Sequence, residues 1–479
     1  MKLRILSLTL IICIVISALA GCGLIEPIDS TTPADTTTPA PTTPADTTAA
    51  PTTAAPTTPA PTTAVPTTPA PTTQVPTTPA PTTQAPTTPA NTTAAPTTDA
   101  ATTPEPTTPA PTTAPEETTT PVETTTPPPP VIEGPEFVNP LTGEESDRDL
   151  STERPVAVSI ENAKDAFPHY GLLYADVLYE FLAEYGITRL LALTYDYANV
   201  NVFEPVRSAR CYTIDLVQNH DAIFVHAGGS VGVGGAYEEI ASRGIDNIDG
   251  VNGPANIKYP NLFGRDQARL EAGVDSQHTM YITGSNIVKA IELLNIRTTS
   301  TAEKASPFKF VEYGTEDLLE DGSDALHVRI KHYGNYQIID MVYDEETNRY
   351  LRYQNKTAKD DDLIAHTDAE TGEQLGFENL ILLQCATSLR PDGTNHIDID
   401  MVTGEGEYGT GYYCYGGKVI NILWQKPDGD AQIKFFNTDY TELEINRGKT
   451  YVSIFDINYR NMNYSQNYGN STQVTFNHK

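Results

Sequence analysis

The sequence predicts a globular region of α+β or α/β class followed by a mainly β region, both carried behind a long disordered Thr/Pro stalk. Three observations predict this. From about Thr31 to Pro130 the chain repeats units such as Thr58-Pro59-Ala60-Pro61-Thr62-Thr63, with almost nothing able to form a core. Up to about Asn295 the pattern that follows mixes strands and helices with Gly-rich turns, and from about Phe308 short alternating strands dominate.

The N-terminal end reads as an export signal. Met1-Lys2-Leu3-Arg4 is a short basic start, and Ile5 to Ala20 is an apolar run shorter than a spanning helix needs, so residues 1–21 are expected to be a signal peptide. Leu19-Ala20-Gly21-Cys22 places small residues before a cysteine. That order resembles the bacterial lipobox, which implies acylation of Cys22, a lipidated N-terminus over 22–30 and anchoring to the outer face of the bacterial membrane. Two or more acyl chains anchor stably where one does not. The alternative is an ordinary signal peptide in which Cys22 is incidental.

Residues 31–135 form the stalk. Proline fixes φ and removes backbone donors, so the segment is expected to be extended; at about 3.1 Å per residue it reaches on the order of 300 Å, enough to cross a thick wall. Its composition resembles O-glycosylated stalks of secreted proteins, with an unmodified spacer as the alternative.

The formal charge is -32, yet no Lys or Arg lies between Arg4 and Arg148 and the stalk acids are sparse, so the acidity belongs mostly to the folded part. A surface of that sign repels nucleic acid and anionic headgroups. Of 5 cysteines, Cys211, Cys385 and Cys414 remain in the folded region. They show no C-x-x-C and no zinc spacing, so free buried thiols are expected, with no cofactor, no metal and no catalytic thiol.

About 350 residues of globular composition exceed what one core comfortably serves, which predicts two domains, 136–300 and 301–479. In the first, Pro155 to Ile160 alternates as a strand, and Val177 to Leu182 with Ile187 to Thr194 read as a hairpin around Glu184-Tyr185-Gly186; the first run also fits a helix stripe of Tyr174, Val177, Leu178, Phe181 and Tyr185, and the β-branched second run favours the hairpin. Ser208 to Gln218 is expected to be helical, Ala222 to Val225 a buried strand, Ala236 to Ser242 a short helix, and Ser285 the cap of a helix through Leu294. In the second, strands are expected at Ala325 to Ile330, Tyr336 to Val342, Asn379 to Cys385, His396 to Met401, Gly411 to Tyr415, Lys418 to Trp424, Gln432 to Phe436 and Thr450 to Phe455. Turn signals at short spacing suit a sandwich or barrel.

Several stretches carry a family likeness. Asn139-Pro140-Leu141-Thr142-Gly143, Arg154-Pro155-Val156-Ala157-Val158, Ala175-Asp176-Val177-Leu178-Tyr179-Glu180 and Gly186-Ile187-Thr188-Arg189 occur in that order, then Pro205-Val206-Arg207-Ser208-Ala209-Arg210, Asp221-Ala222-Ile223 and His226-Ala227-Gly228-Gly229-Ser230. Phe263 with Arg265-Asp266, Tyr350-Leu351-Arg352, Trp424-Gln425-Lys426 and Gly448-Lys449-Thr450-Tyr451 continue it. In this the globular part resembles the YerB-like lipoproteins, a family of unknown function with an N-terminal and a C-terminal part. The resemblance brings no catalytic residues with it. The chain departs from the family in its longer stalk and in Glu184-Tyr185-Gly186, where two glycines are commoner.

One constellation points to chemistry. Arg207 and Arg210 open the expected helix, His226 ends a strand, and Gly228-Gly229-Ser230-Val231-Gly232-Val233-Gly234-Gly235 leads into the next helix. Backbone N–H groups of such a loop, a helix N-terminus and two guanidinium forks would hold a phosphate or carboxylate. The competing reading has the arginines paired with Asp176, Glu180 or Asp215 and the glycines merely allowing a turn. His226 is the candidate acid/base, with Asp215 to orient it, or else a strand-end histidine bonded to backbone. Arg265, Asp266, Arg269 and His278 form a polar stretch that could close over the same pocket.

Other chemistries lack their signatures. No Lys-Ser/Thr follows the glycines, neither Ser208 nor Ser230 sits in a nucleophile elbow, and Asp368-Ala369-Glu370-Thr371-Gly372 lacks the calcium-loop order. His396, Asp398 and Asp400 share a strand face that could serve a metal, although polar-out alternation gives the same row. The 25 tyrosines, many in Tyr408 to Tyr415 and Tyr459 to Tyr468, could make a glycan-stacking surface or simply pack. Three functions fit: a wall-facing binding or scaffold lipoprotein with an anion pocket, an enzyme acting on wall polymers, and a docking partner of wall-synthesis or division proteins.

Overall fold

The computed structural model describes residues 134–477 apart from 185, 301–305, 335, 358–361, 391–392 and 457–472. The expected signal peptide, Cys22, nearly all of the stalk and Tyr459 to Tyr468 lie outside the described residues. Among those described, no helix is long and apolar enough to cross a membrane.

Strands dominate. Before residue 300 they are β1 (Val156–Glu161), β2 (Val177–Glu184), β3 (Ile187–Thr194), β4 (Ile223–His226), β5 (Asn247–Asp249), β6 (Phe263–Arg265) and β7 (Met280–Ile282). The helices are α1 (Cys211–Asn219), α2 (Ala236–Ser242), α3 (Pro254–Ile257), α4 (Gln267–Glu271) and α5 (Gly284–Leu294). The expected hairpin is β2–β3, antiparallel with Val177 opposite Leu193. Two boundaries move. The cap of α5 is Thr283, in extended conformation with its hydroxyl accepting from Asn286 N, rather than Ser285. The expected helix from Ser208 starts only at Cys211, because Arg207 N donates to Ser159 O and Ala209 N to Gly228 O, which holds 206–210 extended.

After residue 300 come β8 (Lys309–Phe310), β9 (Ser323–Asp324), β10 (His327–Tyr333), β11 (Gln337–Asp344), β12 (Arg349–Asn355), β13 (Leu363–Ala365), β14 (Gly376–Phe377) and β15 (Asn379–Leu389). Then follow β16 (Ile397–Asp400), β17 (Gly409–Tyr415), β18 (Lys418–Gln425), β19 (Lys434–Asn437), β20 (Glu444–Ile445), β21 (Thr450–Asp456) and β22 (Gln473–Phe476). All eight strands expected here are present.

The expected boundary near residue 300 does not separate two sheets. One 12-stranded sheet runs β19-β18-β17-β15-β21-β2-β3-β1-β4-β5, with β16 and β9 attached off this path. Late strand β21 lies parallel to both β15 and early strand β2. The reason is the backbone: β2 has an edge facing away from β3, and a buried edge must find partners. The centre of the sheet is covered on both faces, so β1 to β4 are buried nearly along their length, whereas β16 and β18 nearer its other end alternate. Val177, Tyr179 and Phe181 join the core that α1 covers through Ile214, Leu216 and Val217. Leu178, Val156 and Val158 face the other core, shared with α5 and with Ile330, Ile339 and Met341 of the second sheet. That sheet orders β13-β12-β11-β10-β22, with β14 beside β12.

Between the two sheets lies a buried polar seam. Glu180 accepts from Arg352 Nη2 (2.6 Å), Tyr451 Oη (2.7 Å), Thr188 Oγ1 (2.7 Å) and Asn162 Nδ2 (3.0 Å). Arg352 Nη1 also donates to His366 Nδ1, which leaves Nε2–H of that ring to donate to His169 Nδ1 at 2.8 Å. His169 then donates from Nε2 to the Glu161 carbonyl at 2.6 Å. Burial keeps both rings neutral, holding His169 at about 4 and His366 well below the ordinary range.

Lys164 closes the seam, donating to Gln337 Oε1 and to both oxygens of Asn355 at 2.7–2.9 Å. Burial pulls its ammonium down to about 7, with Arg352 acting in the same sense and Glu180 and Asp362 opposing. Between pH 7 and the ordinary lysine value near 10.4 the unfolded chain holds a proton that folded Lys164 has released, so this group adds stability as pH rises through that window. The stability difference between wild type and Lys164→Met, read from urea midpoints, should therefore slope with pH from about 7 to 10. Parallel profiles would contradict this.

Candidate functional site

Strands β1, β4 and β5 are parallel, and their carboxyl ends carry Glu161, His226 and Asp249. Ligands of open α/β sheets bind outside such ends. The extended segment 206–210 crosses there, and its conformation decides which arginine is available. On a helix, Arg207 and Arg210 would share a face; three apart in an extended chain they point to opposite sides.

Arg210 points inward. Its Nε and Nη2 donate to Glu184 Oε2 at 3.1 and 2.5 Å, and Arg189 donates to Glu184 Oε1 at 3.0 Å and to the Ser208 carbonyl at 2.9 Å. Burial would raise the Glu184 carboxyl, but the Arg189 and Arg210 guanidiniums outweigh it and hold the group at about 2. Arg210 is thus a fastening residue, with Glu184 as its partner in place of the expected Asp176, Glu180 or Asp215.

Arg207 points outward, its side chain 23% exposed, with Nε 3.1 Å from Glu161 Oε1. Its Nη2 donates to Gln277 Oε1 at 3.2 Å, and among the described residues no acceptor is bonded to Nη1. The other Glu161 oxygen lies 2.8 Å from His278 Nδ1. Burial raises the Glu161 carboxyl, yet the His278 hydrogen bond and the Arg207 charge bring it below the usual range. Arg265 comes from β6 and donates to the Ser276 carbonyl, one residue from Gln277. Burial and the Arg207 charge both depress its pKa, so the two guanidiniums lie within each other's field. Arg189, Arg207 and Arg210 thus act on Glu161 and Glu184, and Asp275 acts on Arg265, in a chain of net charge -32.

Four amides of the glycine loop are spent on the protein's own acceptors. Gly228, at φ +83°, donates to Asp249 Oδ1 at 2.8 Å, Ser230 N to Ala209 O, Gly234 N to the Glu238 carboxylate and Gly235 N to Gly232 O. Gly229 shares a parallel bridge with Ala209, and Ser230 Oγ accepts from Ala236 N at the start of α2. His226 is fully buried, its Nδ1 2.8 Å from Gly228 O and its Nε2 3.2 Å from the Asn247 side chain. Burial lowers its pKa. It is the backbone-bonded strand-end histidine of the second reading.

Asp215 does not meet His226. It accepts from Arg243 at 2.7 Å in a cleft of about 480 Å³, which Val231 to Gly234 of the glycine loop line together with Cys211, Arg390 and Asp398. Asp398 is bonded to Arg390 Nη1 and Cys211 Sγ, each at 3.0 Å, and Asp400 to Val402 N, so the row with His396 is spent on local bonds. Among the described residues no three His, Cys, Asp or Glu side chains are grouped to hold a metal ion. Cys211, Cys385 and Cys414 are free thiols. Burial, then the Asp398 bond and charge, push the Cys211 thiol up to about 12. Because the thiolate is the nucleophile, native Cys211 should alkylate at pH 8 on the order of a hundredfold or more slowly than free cysteine. Labelling followed by peptide mass analysis checks this, and reaction at the rate of free cysteine would contradict it.

The comparisons with known proteins agree with this architecture. Residues 141–297 match the family "Protein of unknown function (DUF3048) N-terminal domain", and residues 327–452 match its C-terminal domain. The chain belongs to that family. It is similar to YerB of Bacillus subtilis, which is named as a lipoprotein, at 29% identity over 319 residues, 66% of this chain and 85% of YerB. The crystal structure of the Bacillus subtilis YerB protein superposes with a TM-score of 0.54 at 27% identity, over 67% of this chain and 96% of that one.

Of the residues singled out in the sequence, Arg207, Arg265 and His278 meet at one corner, while Arg210, His226, Gly228, Gly229, Ser230 and Asp215 serve the fold around it. Glu161, Gln277, Glu184 and Arg189 were not singled out. The usable signal for Glu161 was a carboxylate closing an apolar strand that is buried on both faces.

Proposed function

We propose that the protein is a lipid-anchored, wall-facing binding or scaffold lipoprotein, and that Arg207 and Arg265 accept an anionic group of a wall polymer. Anchoring rests on Leu19-Ala20-Gly21-Cys22 and on the likeness to a relative named as a lipoprotein. The single observation that carries the binding reading is Arg207, a part-exposed guanidinium with Nη1 open, beside a second guanidinium in a strongly acidic chain. Arginine forks suit phosphate and carboxylate, and an acidic surround confines an anion to this corner. The test is retention of the intact chain on an insoluble, phosphate-bearing wall fraction. Wild type should be retained and released by salt, and Arg207→Ala/Arg265→Ala should not be retained; equal retention of the two would sink the reading.

A hydrolytic reading keeps one specific support, the Glu161–His278 contact at 2.8 Å, which would orient His278 as a general acid/base beside Arg207. It predicts a mass change in wall-polymer fragments that His278→Ala abolishes. Unaltered fragments with wild type would leave binding alone.

A further inference from the structure

Three aromatic rings meet at the far edge of the large sheet. Tyr408 precedes β17, Phe436 lies on edge strand β19, and Tyr440 sits in the turn that follows. The Tyr408 ring stands edge-on to Phe436 (centroids 5.5 Å, 85°) and to Tyr440 (5.2 Å, 67°). Tyr408 is 36% and Tyr440 63% exposed.

The turn makes Tyr440 unusual. Tyr440 N donates to Asn437 O at 3.0 Å, Asn437 N to Thr441 O at 2.8 Å, and Phe436 bridges Glu442 antiparallel. This is a hairpin turn with a left-handed residue before its returning arm, and Tyr440 occupies that position at φ +69°. Glycine or asparagine ordinarily stands there, because a side chain strains that conformation. A tyrosine therefore strains the turn without burying its ring. Folding alone would select Gly or Asn, and such outliers cluster where a ligand is held.

The surroundings select the ligand. Glu405, Glu407, Asp439 and Glu442 are exposed on the neighbouring segments, with Asp439 accepting from Thr441 and Glu442 paired with Lys309, and Lys434 is the other exposed cation there. That rim repels phosphate- and carboxylate-bearing polymers and offers acceptors to hydroxyl groups. The geometry points to a stacking site for a neutral saccharide: the open face of Tyr440, braced by Tyr408, receives the C–H face of a pyranose ring while the rim carboxylates take its hydroxyls. The site is separate from the arginine corner and does not rest on it.

The test titrates the intact chain with the N-acetylglucosamine tetramer and a neutral β-glucan tetramer, by calorimetry and saturation-transfer NMR. At least one tetramer should bind, and Tyr440→Asn should weaken it at least tenfold while leaving the melting temperature unchanged or higher, since asparagine suits the turn. Tyr408→Ala should weaken binding in the same direction. No binding of either tetramer, undiminished binding by Tyr440→Asn, or a lowered melting temperature in that variant would overturn the proposal. So would binding of a proline-rich peptide in place of both saccharides.

Discussion

Replacing Arg352 by Met is expected to destabilise the protein by about 3–5 kcal/mol at neutral pH, since it strands a buried carboxylate. Arg352 and Glu180 are both fully buried and 2.6 Å apart. Burial alone would push the Glu180 carboxyl up, yet the Arg352 charge, with His332 and further hydrogen bonds, holds it at about 2. Because that folded pKa lies below the unfolded value, the stability it confers is present above about pH 4.3 and is lost as pH falls towards 2. The deficit of Arg352→Met relative to wild type should therefore shrink in acid. Urea denaturation at pH 7 and pH 3 measures both, and Glu180→Leu/Arg352→Met should recover part of the loss, as buried pairs replaced together often do. A neutral-pH deficit below about 1 kcal/mol would mean that this pair does not hold the two sheets together.

The second large effect separates two arginines that the sequence presents as equivalent. Glu184→Ala leaves Arg189 and Arg210 buried without their shared acceptor and should cost about 3–5 kcal/mol. Arg207→Ala removes a part-exposed side chain and leaves buried Glu161 with His278 as its remaining partner, so it should cost clearly less than Glu184→Ala. Chemical denaturation of the two variants tests the contrast, and similar losses would show that Arg207 also serves the fold.

The strand set was legible in the sequence because strand-forming residues and turn punctuation repeat at short spacing, and the β2–β3 hairpin followed from the β-branched residues of the run after Gly186, the run before it fitting a helix stripe as well. The shared sheet was not legible. The pairing of β21 with β2 joins residues some 270 positions apart, as in Leu178 opposite Tyr451, and no local pattern encodes such a register. The site failed in a related way. The helix expected over 208–218 put Arg207 and Arg210 together at its start, whereas backbone bonds donated by Arg207 N to Ser159 O and by Ala209 N to Gly228 O extend the segment and turn one of them into the core. Local propensity lost to tertiary pairing at that point. Glycine-rich loops have two readings that composition cannot separate, and here Asp249 takes the amide of Gly228 together with those of Val251 and Asn252 beyond the loop.

We propose that Arg207 and Arg265 form an anion site distinct from the arginines that hold the fold. Its most direct test is calorimetric titration of the intact chain with a soluble phosphodiester polymer at low and physiological salt, alongside thermal melts, for wild type and Arg207→Ala/Arg265→Ala. The account predicts binding that weakens with salt and falls at least tenfold in the double variant, with melting temperatures within a few degrees of each other. Undiminished binding by a well-folded double variant would contradict it.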